Sequence, residues 1–281
     1  MCLIWGIPYL LIKVAVGHVE PTVLVFGRTA IGAAVLLPFA ARRRQLLQLL
    51  PSWKPLLAYT VTELAVPWLL LSDAERRLPS SLSGLLVACV PLIGVVAGLA
   101  TGAGDRLGWR ELAGLLVGLA GVAALVGFDL KTADLGAAGE VGACAIGYAL
   151  GPQIAARKLA HLPSLAVVSV SLGLTALAYA PAAIVQAPPK WPGAGAVAAL
   201  VVLGFVCTAL AFMLFFELIA EAGPVRATVI TYVNPAVAVA LGVLALGERF
   251  TRATAIGFVL VLGGSFIAAR RRPQPAKAGA A

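Results

Sequence analysis

Long apolar runs recur from the beginning of this chain to its end, and short polar segments separate them. Most runs have about 17–24 residues, which is enough to cross a bilayer core of roughly 30 Å as an α-helix. Only 12% of the residues are charged, whereas an average soluble domain has about 25%. These observations exclude a soluble enzyme and predict an all-α polytopic membrane protein.

The apolar runs predict about ten transmembrane helices. The first run is barely long enough to span the membrane, so we expect the natural start of the protein to lie upstream of Met1. A leucine-rich segment at residues 42–54 is expected to lie in the membrane interface. The predicted spans cover residues 2–17, 22–41, 55–72, 80–101, 111–128, 138–155, 164–186, 195–218, 224–246 and 253–269.

A polar hairpin between two glycine-containing runs occurs twice in the chain. A shift of 143 residues, from Gly104 to Gly247, superimposes five positions in and after the hairpin. Because internal repeats decide an architecture before other signals do, we predict five-helix repeats at residues 1–135 and 136–269. Residues 270–281 are predicted to be a disordered, basic, cytoplasmic tail. The matched positions are Gly104, Asp105, Arg106, Gly114 and Gly121 in the first repeat and Gly247, Glu248, Arg249, Gly257 and Gly264 in the second.

The number of spans in each repeat determines how the repeats are related. Five is odd, so the second repeat enters the membrane from the opposite side and the two repeats are inverted. With the amino terminus inside, the inner loops contain more Lys and Arg than the outer loops, which predicts that both termini are cytoplasmic. The net charge of +9 is therefore attributed to the loops, and no nucleic-acid partner is expected.

Several of these features together resemble a known family. Trp5-Gly6 with Lys13 in the first span, the two proline-bearing spans and the paired Asp/Glu-Arg hairpins are similar to the EamA family of the drug/metabolite transporter superfamily. The resemblance implies ten helices in two inverted five-helix repeats around a central substrate cavity. It also implies export of amino acids or other metabolites. Asp105 departs from the pattern, because the family commonly has Glu at that position.

One acidic residue falls near the middle of a predicted span. Glu63 lies in the third span, where a carboxylate costs about 2.5–3.5 kcal/mol on insertion scales. Pro67 lacks the N–H that would bond the Glu63 carbonyl, so a carboxylate and a free carbonyl fall on the same turn. We interpret Glu63 as a proton or cation site in the cavity, with a structural contact to a neighbouring helix as the alternative. Trp68 is either a stacking wall for the substrate or a packing residue.

Two basic residues also lie within predicted spans. Lys13 either extends to the outer interface or pairs with Glu63 or with an anionic group of the substrate. Arg28 is assigned a structural role.

Prolines inside the fourth and ninth spans resemble the interruptions that form midplane binding sites in transporters, and simple kinks are the alternative. They are Pro91 and the pair Asn234-Pro235. The predicted substrate pathway comprises Trp5, Lys13, Glu63, Pro67, Trp68, Pro91, Tyr232, Asn234 and Pro235.

The sequence predicts a secondary transporter of the inner membrane that works by alternating access, and the family resemblance implies that it exports a small metabolite, such as an amino acid, or a drug. ATP hydrolysis is not expected, because no glycine-rich loop with Lys-Ser/Thr is present. No cofactor or metal is expected, because both histidines fall in loops. The expected partners are a small-molecule substrate, bilayer lipid and a coupling proton; a homodimer through Gly-x-x-x-Gly motifs stays open.

Two other classes of protein remain as alternatives. A membrane-embedded enzyme acting on a lipid-linked substrate would need catalytic side chains clustered at one interface, and the sequence shows no such cluster. A channel would need rings of like polar residues, which ten different spans do not readily supply.

Overall fold

A computed structural model of the chain describes residues 1–100, 109–129, 134–222 and 230–269. Within these ranges the chain forms helices joined by short turns and contains no strand. The protein is an all-α polytopic membrane protein, as predicted. The first hairpin, residues 104–106, and the basic tail, residues 270–281, lie outside the described residues.

The first half begins with a helix that bends at Pro8 and continues through four longer spans. Pro8 and Pro21 each stand in the first turn of a helix, where the missing N–H has no intrahelical partner to lose. In the third span, two α-helices are joined by a π-helical stretch, Thr60–Ala65, named here the first π segment. The helices are α1 (Cys2–Gly6), α2 (Pro8–Val16), α3 (Pro21–Arg42), α4 (Trp53–Tyr59), α5 (Val66–Arg77), α6 (Ser80–Val87), α7 (Val90–Ala100) and α8 (Trp109–Asp129).

The second half has the same kind of interruption in its third span. A π-helical stretch, Phe205–Leu210, joins two α-helices there and is named here the second π segment. A further π-helical stretch, Ala155–Leu159, follows the first helix of this half. The first helix of this half is capped by Asp134, whose carboxylate accepts a hydrogen bond of 2.8 Å from the Gly136 N–H. The helices are α9 (Leu135–Ile154), α10 (Ser164–Val185), α11 (Ala194–Gly204), α12 (Ala211–Ala222), α13 (Ile230–Leu246) and α14 (Arg252–Ala269).

The lengths of the helices agree with a membrane location. Among the described residues, four helical segments are long and apolar enough to cross a bilayer, and five shorter apolar helices accompany them. The four long segments are Pro21–Arg42, Leu46–Arg77, Ser164–Val185 and Ala194–Leu218.

Two predictions about the spans are corrected by the structure. Residues 73–77 were predicted to be a loop, but α5 continues to Arg77, because Trp68 and Leu71 begin a buried stripe that extends through this charged stretch. The ninth span was predicted to be broken at Asn234-Pro235, but α13 runs through Pro235 from Ile230 to Leu246. A proline inside a span is tolerated where neighbouring helices cover the freed carbonyl.

The relation between the two halves is visible in their central helices. The helices α3 and α10 both have 22 residues, begin 143 positions apart (164 − 21), and pack against each other. The two π segments begin 145 positions apart (205 − 60) and have six residues each. Each central helix packs against the π segment of the opposite half: α3 contacts the second π segment, and α10 contacts the first. The two halves therefore interlock. The boundary at residue 135 stays a prediction.

The repeated glycines bring α8 and α14 into close contact. A methyl group added to Gly121 would lie 2.8 Å from the backbone nitrogen of Val261. A methyl group on Gly264 would lie 2.6 Å from the Gly114 carbonyl oxygen. Small residues at such positions let transmembrane backbones approach each other. The neighbouring Gly263 faces open space within this chain.

We expect Gly264→Ala to lower the free energy of unfolding by about 1–3 kcal/mol, because the added methyl group overpacks the contact between α8 and α14. Gly263→Ala is the matched control, and its stability should equal or slightly exceed wild type because alanine favours helix. Unfolding of both purified variants in detergent measures the difference. Equal stability of the two variants would contradict the assigned contact.

Candidate substrate site

Arg28 is a buried cation at the contact between the two halves. Its side chain extends from α3 and is only 6% exposed. The guanidinium carbon lies 3.6 Å from the centre of the Trp68 ring, a distance at which cation and aromatic face attract each other. Its Nε donates a hydrogen bond of 3.0 Å to the hydroxyl of Thr208 in the second π segment. Arg28 thus joins a first-half tryptophan to a second-half threonine.

The helix that carries Trp68 also carries a buried carboxylate. Glu75 lies two turns further along α5 and is 0% exposed. Neither of its carboxylate oxygens has a hydrogen-bond partner among the described residues. The buried face of α5 runs through Trp68, Leu71, Ser72 and Glu75, which is the spacing of one helix face.

Lys13 contacts the carboxyl-terminal end of α5. Its ammonium donates hydrogen bonds of 2.6 Å to the carbonyl oxygen of Glu75 and 2.9 Å to that of Leu78. Carbonyls at the end of a helix lack intrahelical partners and carry partial negative charge, so a cation stabilises them. The structure does not bring Lys13 to Glu63: among the described residues, Glu63 takes part in no ion pair.

Glu248, from the second of the repeated hairpins, caps a helix of the opposite half. Its two carboxylate oxygens accept hydrogen bonds of 2.7 Å from the Ser80 N–H and 3.0 Å from the Ser81 N–H at the start of α6. A carboxylate at this position satisfies two unpaired donors and favours the helix dipole. The buried hydroxyl oxygens of Ser80 and Ser83 have no hydrogen-bond partner in the described part of the chain.

Glu63 lies in the first π segment and faces α9. Its Oε2 is buried and has no hydrogen-bond partner among the residues described. Gly151 makes room for it, since a methyl group there would lie 2.8 Å from the Glu63 Cβ and closer still to its carboxylate. One turn earlier, Gly147 packs against the Thr62 carbonyl. A methyl group added to Gly147 would lie 2.6 Å from the Pro67 ring.

The first π segment accommodates the missing N–H of Pro67. The Val66 N–H bonds to the Val61 carbonyl, five residues back instead of four. The Ala65 carbonyl accepts a hydrogen bond of 3.0 Å from the Tyr179 hydroxyl of α10. This irregular backbone places Glu63 where α4, α5 and α9 meet. Single-turn π insertions in helices frequently occur at functional sites.

Ion pairs between half-exposed side chains cluster at one end of the helices. Arg77 lies 2.8 Å from Asp73, 2.8 Å from Asp134 and 2.6 Å from Glu140, and Arg76 lies 2.8 Å from Glu20. The hydrogen bond from Arg77 holds the pKa of Asp134 below its ordinary value. The stabilisation from that pair is therefore present at neutral pH and is lost as the pH falls through the lowered pKa.

Comparison with known proteins decides the family. The sequence profile of the EamA-like transporter family matches residues 1–127 and 141–270. This chain belongs to the EamA-like transporter family. Its two matched regions correspond to the two repeats of a polytopic membrane fold.

Individual relatives of this EamA-like transporter share 30% or less of their aligned sequence with it. The aromatic amino acid exporter YddG of Ancylobacter novellus is 30% identical over 204 residues, which cover 70% of this chain and 69% of that protein. The uncharacterized transporter YvbV of Bacillus subtilis is 23% identical over 268 residues, covering 93% of this chain and 87% of that protein. One crystal structure superposes with a TM-score of 0.69 at 27% identity and covers 95% of this chain and 93% of the other.

In this EamA-like transporter, the predicted pathway residue Trp5 belongs to an aromatic cluster. Its ring centre lies 4.8 Å from that of Phe215 and 5.9 Å, edge to face, from that of Phe212. Phe216 completes the cluster, stacked 6.1 Å from Phe212. The adjacent Gly6 lets α1 contact Val237 and the Asn234 carbonyl of α13. Trp5-Gly6 therefore joins the first span to two spans of the second half.

The remaining predicted pathway residues are Pro91, Tyr232, Asn234 and Pro235. The fourth span is interrupted just before Pro91, and the Ala88 carbonyl at the break accepts a hydrogen bond of 3.0 Å from the Ser265 hydroxyl of α14. Asn234 and Pro235 lie inside the unbroken helix α13. The side chain of Tyr232 lies outside the described residues.

Sequence reasoning missed the burial of Glu75 and the contacts of Arg28. Glu75 was placed in a loop, although it continues the buried stripe of Trp68 by seven residues, and that spacing was the available signal. Arg28 was assigned a structural role, because its partner Thr208 is 180 positions away and no sequence pattern indicates that contact.

We expect Lys13→Met to lower the free energy of unfolding by about 1–3 kcal/mol, because two carbonyl oxygens lose their donor. The exposed Lys54→Met is the matched control and should leave stability close to wild type. Denaturation of purified protein in detergent measures both. Unchanged stability of Lys13→Met together with lost transport would assign Lys13 to the substrate pathway instead.

Proposed function

We propose that this chain exports a small metabolite of the amino acid class across the inner membrane by alternating access. The observation that carries the proposal is the group of buried charges between the halves, above all Arg28, which contacts Trp68 and Thr208 together. Charged side chains inside a membrane are costly and mark substrate or ion pathways. The name of the Ancylobacter novellus relative, an aromatic amino acid exporter, supports the substrate class.

Alternating access requires contacts that break at one end of the helices while the site stays in place. The ion pairs of Arg76 and Arg77 meet this requirement, because they join α5 to the segment before α3 and to α9. Pairs between exposed groups contribute little to stability, so they separate at low cost. Two clefts, of about 260 and 290 Å³, already open at this end, and both are lined by Glu20, Arg76 and Gln186.

The proposed orientation places the termini in the cytoplasm and the ion-pair end outside. It rests on the excess of Lys and Arg in the inner loops. Reporter fusions after Lys190 and after Arg271 should report opposite sides of the membrane. The same side for both would contradict the ten-span topology.

Efflux of amino acids from cells tests the proposed transport directly. In bacterial cells that overexpress the chain, we expect intracellular aromatic amino acids to fall and the same compounds to accumulate in the medium. Empty-vector cells are the control. Unchanged pools of every metabolite, with hydrolysis of a lipid-linked compound by the purified protein, would favour the membrane-embedded enzyme instead.

Two buried carboxylates are proposed to couple efflux to protons. Glu63 has an unpartnered oxygen against Gly151. Glu75 has two unpartnered oxygens and lies in the electrostatic environment of Lys13, Glu248 and Arg28. Burial disfavours the charged form of an isolated carboxylate, so such a group tends to bind a proton. Each residue would bind and release a proton as access alternates, which would couple transport to protons.

We expect Glu63→Gln and Glu75→Gln to fold and to bind substrate while losing transport driven by a pH gradient. Transport into proteoliposomes with an imposed pH gradient measures the loss, and substrate exchange without a gradient is the internal control. Glu217→Gln, at an exposed position of α12, is the control variant. Gradient-driven transport at the wild-type rate in either variant would exclude that residue from coupling.

A further inference from the structure

We propose that Arg28 binds the carboxylate group of the transported amino acid, an inference that rests on the proposed transport function. The ligand class is an α-amino acid with a free carboxylate and an aromatic side chain.

The hydrogen bonds of the guanidinium group leave most of its donors available. A guanidinium has five N–H donors in a fixed planar fork. Among the described residues Arg28 makes one hydrogen bond, from Nε to the Thr208 hydroxyl, and no ion pair. Its two terminal NH2 groups are therefore available for a ligand. A carboxylate is the anion whose two oxygens match such a pair.

The surroundings of Arg28 hold the guanidinium in one orientation. Trp68 lies against its face at 3.6 Å and is itself only 5% exposed. Thr208 fixes the Nε edge, and its hydroxyl in turn donates a hydrogen bond of 2.8 Å to the Leu203 carbonyl. A guanidinium held on one face and one edge presents its remaining edge without reorganisation, which favours binding of a planar anion.

The repeat shows that the contact between halves does not require a charge. The equivalent of Arg28 in the second half, 143 residues later, is Ser171. Ser171 also meets the π segment of the opposite half, through a hydrogen bond of 2.9 Å from the Thr60 hydroxyl. In this half, a pair of hydroxyl groups therefore joins the central helix to the π segment of the opposite half. The positive charge at Arg28 is an addition found in one half only, which a purely structural role does not explain.

The aromatic residues nearby fit an aromatic substrate. Trp68 belongs to a buried apolar cluster with Leu64 and Leu172. Tyr148 of α9 packs against that cluster and also against the larger cluster, named here the main core, which includes Leu71. Tyr9, from α2, is buried in the main core. Flat aromatic side chains around a fixed cation provide walls for a ring beside an anchor for a carboxylate.

Glu75 could neutralise Arg28 in place of a ligand carboxylate, since it is a buried carboxylate on the same helix as Trp68. If Arg28 existed to neutralise Glu75, its replacement would disturb folding or pH dependence but would not change which ligands bind. The test therefore compares ligands as well as variants.

The first experiment uses the purified wild-type protein, so it does not depend on whether a variant folds. Binding of L-tryptophan, L-tryptophanamide and tryptamine is measured by calorimetry in detergent. We expect the two compounds that lack the carboxylate to bind at least tenfold more weakly than tryptophan. Equal binding of tryptophan and its amide would overturn the proposal.

The second experiment uses Arg28→Gln and Arg28→Lys, with the exposed Arg157→Gln as the control for loss of a positive charge. We expect Arg28→Gln to raise the KM for tryptophan efflux at least tenfold and to abolish the preference for acid over amide. Arg28→Lys should keep part of that preference. Retained preference in Arg28→Gln would overturn the carboxylate site and leave the transport function standing. Absence of amino acid efflux in the wild type would overturn the proposed function itself.

Discussion

A lipid bilayer offers a polypeptide no hydrogen-bond partners, so every irregular point in these helices must be satisfied by the protein itself. The chain meets this requirement repeatedly with side chains from distant segments. Lys13 covers the carbonyls at the end of α5, and Glu248 covers the amides at the start of α6. Ser265 and Tyr179 bond carbonyls near the two prolines Pro91 and Pro67.

In contrast to these backbone groups, several buried side-chain atoms in the described part of the chain lack hydrogen-bond partners. Among the described residues, the Glu63 Oε2 and both carboxylate oxygens of Glu75 are buried without hydrogen-bond partners, and Arg28 donates a single hydrogen bond. A protein that pairs its backbone so completely has no structural reason to leave three charged groups incompletely bonded. Their positions between the halves are the physical basis for assigning transport to this region.

The inverted repeat separates scaffold from function. Matched features occur in both halves: the 22-residue central helices, the π segments and the glycine contact between α8 and α14. The charges of Glu63 and Arg28 are unmatched. In the register of the π segments, Glu63 corresponds to Thr208, and Arg28 corresponds to Ser171 in the register of the central helices. The helical scaffold occurs in both halves, whereas these two charged side chains occur in the first half only.

Much of the fold could be predicted from apolar periodicity, which indicates where helices lie but not what they contact. The span boundaries that fall within the described residues agree within a few residues, except that the charges at 73–77 concealed the end of α5. The predicted start of the ninth span at residue 224 lies outside the described residues. The first π segment was not predicted, because the Tyr179 hydroxyl that bonds its Ala65 carbonyl comes from a span more than 100 residues away, and no sequence pattern indicates that contact. The predicted site residues stay a prediction: Trp68 is buried and the Glu63 Oε2 is buried, but the partner of Trp68 is an arginine from another span, which the sequence does not indicate.

A structure of the protein with L-tryptophan bound would test this assignment most directly. The account predicts a ligand between the halves, with its carboxylate within hydrogen-bond distance of the terminal nitrogens of Arg28 and with Trp68 covering the opposite face of the guanidinium. A ligand bound only in the clefts beside Glu20 and Arg76, or among Trp5 and Phe212, with Arg28 unliganded, would contradict it.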